Sequence, residues 1–162
     1  MAELLLNVPS TFEPLRNNRF VAEFPAELGL ETWKVRTFSA PKVTHNVVEI
    51  PFLNSFSYVV GKYKWEPIDI ELIVTMGTST TSQVMDWLRL HSESLTGRQG
   101  YAAGYLKNLF LKSLDPTGVE VDKWELRECL VADIDFGQRD MADDELQIIK
   151  IKVQPRDCIH RY

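Results

Sequence analysis

Apolar and polar residues alternate with a period of two along most of this chain, which is the pattern of half-buried β-strands. The clearest case has Ile68, Ile70, Leu72 and Val74 on one side and Asp69 and Glu71 on the other. Comparable strands are predicted at 19–24, 33–39, 43–50, 59–63, 105–114, 119–130 and 146–156. Along 33–39 the alternation predicts that the basic residues Lys34 and Arg36 lie on one face of the strand. Trp33, Val35 and Thr37 lie on the opposite face.

One helix is predicted between Thr80 and Gly97. Thr80 and Gln83 have the spacing of a capping box, in which two side chains satisfy free N–H groups of the first turn. An apolar stripe follows at helical spacing: Val84, Trp87, Leu88 and His91. Because this stripe is short and solitary, we expect the helix to pack on a sheet. Asp86 and Arg89 can pair on its outer side.

The segment 51–58 contains aromatic residues without helical spacing, and it lies between two strong strand patterns. It is predicted to be the tip of a long hairpin whose apolar side chains are partly exposed: Phe52, Leu53, Phe56 and Tyr58. A loop folded over the core of its own chain is the alternative, and both interpretations stay open at this point.

The composition is that of a single globular domain. The 162 residues are 44% hydrophobic and 25% charged, with 18 basic and 23 acidic residues and a formal net charge of −5. This balance lacks the basic face of a dedicated nucleic-acid binder, and no apolar run approaches the ~20 residues of a membrane helix. Residues 1–18, polar and broken by prolines, are predicted to be an arm and 19–162 one domain. Cys129 and Cys158 lack paired spacing; they could approach each other if their strands pair, but two free thiols are the favoured interpretation.

Motifs for catalysis or cofactor binding do not occur with the required spacing. The sequence has no zinc-type cysteine–histidine pairs, no phosphate-binding Gly-Lys-Ser/Thr loop and no nucleophile elbow. His91 is expected to be a packed, hydrogen-bonded histidine. No catalytic residue, cofactor or metal ligand is therefore predicted, and an enzyme is the least favoured class. The one cluster is acidic: Asp133, Asp135, Asp140, Asp143, Asp144 and Glu145. A solvated loop is the favoured interpretation, with a functional negative surface or a catalytic carboxylate pair as alternatives.

A resemblance rests on several weak motifs in a specific order. They are Asn18-Arg19-Phe20-Val21-Ala22-Glu23, Phe38-Ser39-Ala40-Pro41, Val48-Glu49-Ile50-Pro51, the strand from Trp65 to Met76, Val84-Met85-Asp86-Trp87, and Leu146-Gln147-Ile148-Ile149-Lys150-Ile151-Lys152-Val153. Over residues 18–162 the chain resembles the tail-tube proteins of contractile-tailed bacteriophages. One stretch, Leu130-Val131-Ala132-Asp133, departs from the Trp-Pro-containing segment expected there.

The resemblance implies a mainly β fold: a β-sandwich or barrel-like subunit with one flanking helix and a long extended hairpin. Six subunits would form a ring, and the rings would stack into a hollow tube inside a contractile sheath, with baseplate and tail-terminator proteins as further partners. The genome would pass through this tube, so the protein would belong to the virion tail after assembly in the host cytoplasm. A baseplate tube initiator, a tail-terminator ring and the tube protein of type VI secretion remain alternatives.

The resemblance also implies roles for two sets of residues. The hairpin tip is the expected contact between rings: Phe52, Leu53, Asn54, Phe56 and Tyr58. Acidic side chains are expected to line the bore: Asp69, Glu71, Asp133 and Asp135. A wall with the same sign of charge as DNA cannot replace the counterions of the phosphates, so DNA would slide through without specific binding.

Overall fold

The computed structural model describes residues 12–161. Within that span it contains nine strands and two helices: β1 (Phe20–Glu23), β2 (Val35–Phe38), β3 (Val43–Phe52), β4 (Ser55–Trp65), β5 (Ile68–Ile73), α1 (Thr80–His91), α2 (Ala102–Tyr105), β6 (Lys107–Leu114), β7 (Glu120–Asp135), β8 (Ile148–Gln154) and β9 (Asp157–His160). The predicted mainly β fold is confirmed. Residues 1–11 of the predicted arm lie outside the described residues.

Seven strands form one continuous sheet in the order β1-β6-β7-β8-β5-β2, with β9 also paired to β7. Strands β3 and β4 form a separate two-stranded sheet. A hairpin joins β6 to β7, and Gly118 N–H donates to Asp115 O at 3.1 Å across its turn. The long β7 takes different partners along its 16 residues, so it carries the sheet from one layer into the next.

A bend at Glu128 divides β7 into two halves. The first half pairs with β6 and β9, and the second half pairs with β8. Glu128 has a φ of 49°, a left-handed conformation that a non-glycine residue keeps only where its surroundings hold it. Arg156 supplies that support, because its Nη1 donates to Glu128 Oε2 at 2.6 Å and its N–H to Arg127 O at 3.1 Å. Strands that bend in this way form the corners of barrel-like sandwiches.

The core lies between the two layers and is built from alternate residues of the paired strands. Its fully buried members include Ile68, Ile70, Leu72, Leu109, Leu126, Ile149, Ile151 and Val153. The alternation predicted for β5 is therefore confirmed, with Asp69 and Glu71 on the opposite face. Burial of these side chains is the main favourable term holding the two layers together.

Helix α1 begins one residue away from the predicted cap. Ser79 is the N-cap and accepts from Ser82 N–H, so the predicted capping box is wrong. Thr80 is buried instead and donates to Ile73 O at 3.0 Å. The helix ends at His91 rather than at Gly97. The predicted apolar stripe does face the core, with Val84 and Trp87 fully buried.

The alternation predicted at 33–39 is wrong at its start. Thr32–Lys34 forms one turn of 3-10 helix, so neighbouring side chains there do not point to opposite sheet faces. As a result Lys34 is fully buried, whereas Trp33 is 61% exposed. The lysine Nζ donates to Thr78 O and to Gln83 Oε1, both at 3.1 Å. Gln83 thus holds a buried ammonium group rather than capping its own helix.

Three further differences concern short or bent elements. Strand β7 continues to Asp135, where an irregular connection was predicted from residue 133. A register shift between Val131 and Asp133 breaks the alternation of apolar and polar residues in β7. The end of the strand therefore lacks the period of two from which strands were predicted. The four-residue elements α2 and β9 were not predicted, because such short segments carry no periodicity of their own.

Candidate assembly surfaces

The hairpin of β3 and β4 projects from the two-layer body. Its strands have 10 and 11 residues and meet in a two-residue turn, since Phe52 pairs with Ser55. Every residue of β3 is exposed. A two-stranded ribbon is at best marginally stable alone in water, so this hairpin is an element that other protein surfaces would stabilise.

Apolar side chains cover the exposed hairpin from its middle to its tip. Phe52 is 69% exposed, Leu53 91%, Phe56 59% and Tyr58 67%. The alternative of a loop folded over its own core is therefore wrong. Exposed apolar patches of this kind mark interaction sites in soluble proteins.

The tip also keeps an unfavourable backbone geometry. Leu53 has a φ of 50°, in the left-handed region where glycine or asparagine is the usual residue. Ser55 Oγ closes the turn by donating to Phe52 O at 3.0 Å. The Leu53 side chain is almost fully exposed, so it adds no hydrophobic burial to the isolated chain.

The four acidic residues predicted for the bore lie on one face of three adjacent strands. Asp69 pairs in register with Lys152 of β8, and Lys152 pairs with Asp133 of β7. One row away, Lys150 lies between Glu71 and Asp135. The cross-strand charges are close, with Nζ of Lys152 3.9 Å from Asp69 Oδ1 and Nζ of Lys150 4.0 Å from Glu71 Oε1.

This charged face thus consists of a column of lysines between two columns of carboxylates. Sequence reasoning found the acids but missed the two lysines that separate them. The signal was available, because Lys150 and Lys152 occupy the polar positions of an alternating strand. The sequence does not show which strands flank β8, and the flanking strands decide which side chains lie next to the two lysines.

Two strands leave an edge open in the layer that carries the charged face. Among residues 12–161, no further strand pairs with the outer edge of β2 or with the edge of the second half of β7 that faces away from β8. The latter edge is covered at one point, where His91 Nε2 accepts from Val131 N–H at 3.1 Å. His91 is thus the packed, hydrogen-bonded histidine that was predicted. Open edges are natural sites for pairing with another chain.

The remaining polar clusters form internal hydrogen bonds. In the acidic loop, Asp140 Oδ1 accepts from Ala142 N–H and Asp143 Oδ1 accepts from Glu145 N–H, both at 3.0 Å, as in ordinary solvated turns. Burial raises the pKa of Cys129 and of Cys158 to about 12, and both thiols are free. Such thiols are not nucleophiles at neutral pH.

The described part of the chain has neither a metal-binding cluster nor a membrane-spanning helix. No group of three histidine, cysteine or carboxylate side chains in residues 12–161 is placed to hold a metal ion. Within that same span, no helix has both the length and the apolar character needed to cross a bilayer.

Neither a protein-family model nor a curated protein matches the sequence. Solved structures do match. A chain of the sheath/tube terminator of an extracellular contractile injection system (PVC) aligns over 94% of this chain and 100% of its own, with a TM-score of 0.75 at 14% identity. A chain of the six-fold symmetrised anti-feeding prophage baseplate aligns over 93% and 97%, with a TM-score of 0.71 at 16% identity. Hcp1 from Flavobacterium johnsoniae aligns over 88% and 94%, with a TM-score of 0.50 at 10% identity.

At identities this low, the likeness shows the fold alone. The structural neighbours are tube and terminator proteins of contractile injection systems together with Hcp proteins. The resemblance to tail-tube proteins drawn from the sequence is therefore confirmed at the level of fold. The chain and these neighbours also have nearly the same length, so the shared fold accounts for almost the whole domain.

Proposed function

We propose that this protein is the structural subunit of a hollow tail tube, in which rings of six copies stack inside a contractile sheath. The observation that carries the proposal is the β3–β4 hairpin, whose apolar side chains are exposed in the single chain. Leaving such a surface in water is unfavourable, and burying it against other copies removes that cost. The fold shared with tube and terminator proteins supports the same function.

The open edges support ring closure. The layer β7-β8-β5-β2 has an open strand at each end, so the β2 edge of one copy can pair with the β7 edge of the next. A head-to-tail contact of this kind closes into a ring when its rotation permits. The six-fold symmetrised baseplate among the structural neighbours favours six copies.

Stacking is assigned to the hairpin tip. We expect Phe52, Leu53, Asn54, Phe56 and Tyr58 to contact the adjacent ring. The exposed fraction of these apolar side chains and the strained backbone of Leu53 both support a contact made outside the single chain.

The bore is assigned to the charged face. Its carboxylates, Asp69, Glu71, Asp133 and Asp135, outnumber the two lysines between them, so the wall would repel a phosphate backbone and DNA would pass without specific binding. Replacing several of these acids by lysine should slow genome delivery while leaving tube assembly intact. Unchanged delivery kinetics would contradict this assignment.

A terminator ring is the second candidate function, because the sheath/tube terminator matches this chain over nearly its full length. In either case the expected partners are sheath and baseplate proteins, and the expected location is the virion tail. Negative-stain electron microscopy of the purified chain separates the two candidates. A tube subunit forms stacked rings of varying length, whereas a terminator forms single rings that cap tubes made by another protein.

A further inference from the structure

The two faces of the β3–β4 hairpin are both mainly apolar and both exposed. Residues opposite each other in an antiparallel pair share a face, so the register assigns each paired side chain between Val47 and Val60 to a face. The first face carries Val47, Glu49, Pro51, Phe56, Tyr58 and Val60. The second face carries Val48, Ile50, Phe52, Ser55, Ser57 and Val59. All of the side chains on these two faces are exposed in the single chain.

One compact partner does not cover both faces. The side chains of a ribbon leave its two faces in opposite directions, so a single globular surface can pack against one face only. A hairpin that packs against a single partner would have one apolar face and one polar face, as half-buried strands do. This hairpin lacks that asymmetry, which means that each face requires its own covering surface.

The charges of the chain favour other copies of itself as the covering surfaces. Residues 43–65 contain two lysines and one glutamate, so the hairpin is formally positive, whereas the chain as a whole carries −5. The remainder of the chain is therefore more acidic than the whole, and its charge is complementary to that of the hairpin. From Val47 to Val60 the only charged residue is Glu49, so little like-charge repulsion opposes contact there.

We propose that each hairpin is held between two other copies of the chain: below the tip, one face of its stem lies against a neighbour in its own ring and the other face against a copy in the adjacent ring. This inference rests on the proposed tube function and adds to it. It gives the two faces separate tasks: one face contributes to ring closure and the other to ring stacking.

Two matched double variants of the stem test the proposal. The first is Val47→Thr and Val60→Thr on one face, and the second is Val48→Thr and Val59→Thr on the other face. Threonine keeps the β-branched shape suited to strands while making the face polar. Because these side chains are exposed, the dissociated variants should unfold at the same temperature as the unaltered chain. Native mass spectrometry counts copies per particle, and electron microscopy measures tube length.

We expect the two variants to stop at different steps of assembly. One variant should stop at single rings, with at least a tenfold loss of stacked particles, and the other should fail to complete rings. The proposal is overturned if both variants stop at the same step, or if either assembles normally. It is also overturned if removal of residues 2–11 reproduces the defect of one variant, because the arm of the same chain would then cover that face. If the unaltered chain forms no rings at all, the tube function itself fails, an outcome distinct from these.

Discussion

At the scale of single residues, Lys34 shows how a polar side chain is tolerated in the core. It is fully buried, and its two hydrogen-bond acceptors, Thr78 O and Gln83 Oε1, are neutral. Burying an ammonium group in this way is costly unless its hydrogens are satisfied. Gln83 matters because it also donates from Nε2 to Gly29 O at 2.6 Å. Gly29 ends a 3-10 turn over Ala26–Leu28, so Gln83 links that turn to α1.

This arrangement predicts that substitutions of the two partners, Lys34 and Gln83, differ in their effect on the free energy of unfolding. Gln83→Leu leaves the buried ammonium without one acceptor and should lower the free energy of unfolding by about 1–3 kcal/mol. Lys34→Met replaces the charge by an apolar chain of similar volume, and should cost less or stabilise the fold. Urea unfolding of the two variants measures both effects. A larger loss for Lys34→Met than for Gln83→Leu would contradict this account.

A second prediction at this scale concerns pH. Glu125 accepts from Arg161 (Nη2 at 2.5 Å, Nε at 2.9 Å) and from Arg127 Nε at 3.1 Å, and these bonds lower the pKa of its carboxyl below the ordinary value of 4.5. A lowered folded-state pKa adds stability that is present above pH 4.5 and is lost as the pH falls through the lowered value. Glu125→Gln should therefore be less stable than the unaltered chain at pH 7, and the gap should close toward pH 3. Urea midpoints at the two pH values test this, and a gap independent of pH would refute it.

At the scale of elements, α1 shows where sequence patterns succeed and where they fail. Its apolar stripe predicted the buried side of the helix, because burial of Trp87 and Val84 requires helical spacing. Its start was misplaced by one residue, since Ser79 and Thr80 are both plausible caps and only the path of the chain from β5 selects Ser79. Caps that compete in sequence are resolved by tertiary contacts.

The cap makes a direct prediction. Ser79→Ala removes the acceptor for Ser82 N–H and should destabilise the protein by about 0.5–2 kcal/mol. Ser82→Ala is the matched control, because that position lies inside the helix and is exposed, so alanine there should be neutral or slightly favourable. Thermal unfolding followed by circular dichroism compares the two. Equal effects would mean that Ser79 does not cap α1.

The strands repeat this lesson for the candidate surfaces. Strands β5 and β8 were predictable because one face of each is fully buried and the other is polar. Their order in the sheet was not, so the alternation of Asp69, Lys152 and Asp133 across three strands emerged only from the fold. The hairpin was predicted as an element. The register that puts apolar side chains on both of its faces emerged only from the fold.

At the scale of the whole molecule, the charged face predicts how an assembled tube treats DNA. Lys150 and Lys152 are each flanked by carboxylates, which compete with phosphates for the ammonium groups. Neutralising the flanking acids, through Asp69→Asn, Glu71→Gln, Asp133→Asn and Asp135→Asn, should leave the lysines free to hold phosphates. Assembled particles of this variant should retain double-stranded DNA, with affinity falling as salt rises.

The control carries the same change of charge at another place: Asp140→Asn, Asp143→Asn, Asp144→Asn and Glu145→Gln in the acidic loop. These particles should not retain DNA if position rather than net charge decides the effect. Equal retention by both variants would show that the charged face has no special role. Electron microscopy of both variants verifies that the tubes are intact.

A cryo-electron microscopy reconstruction of the assembled particle shows whether other copies of the chain cover the hairpin within closed, stacked rings. We predict a hollow particle of six-fold rings in which Phe52, Phe56 and Tyr58 are buried against neighbouring copies. A chain that remains monomeric at high concentration and in the presence of sheath and baseplate proteins, or a ring in which these side chains stay exposed to solvent, would contradict this prediction.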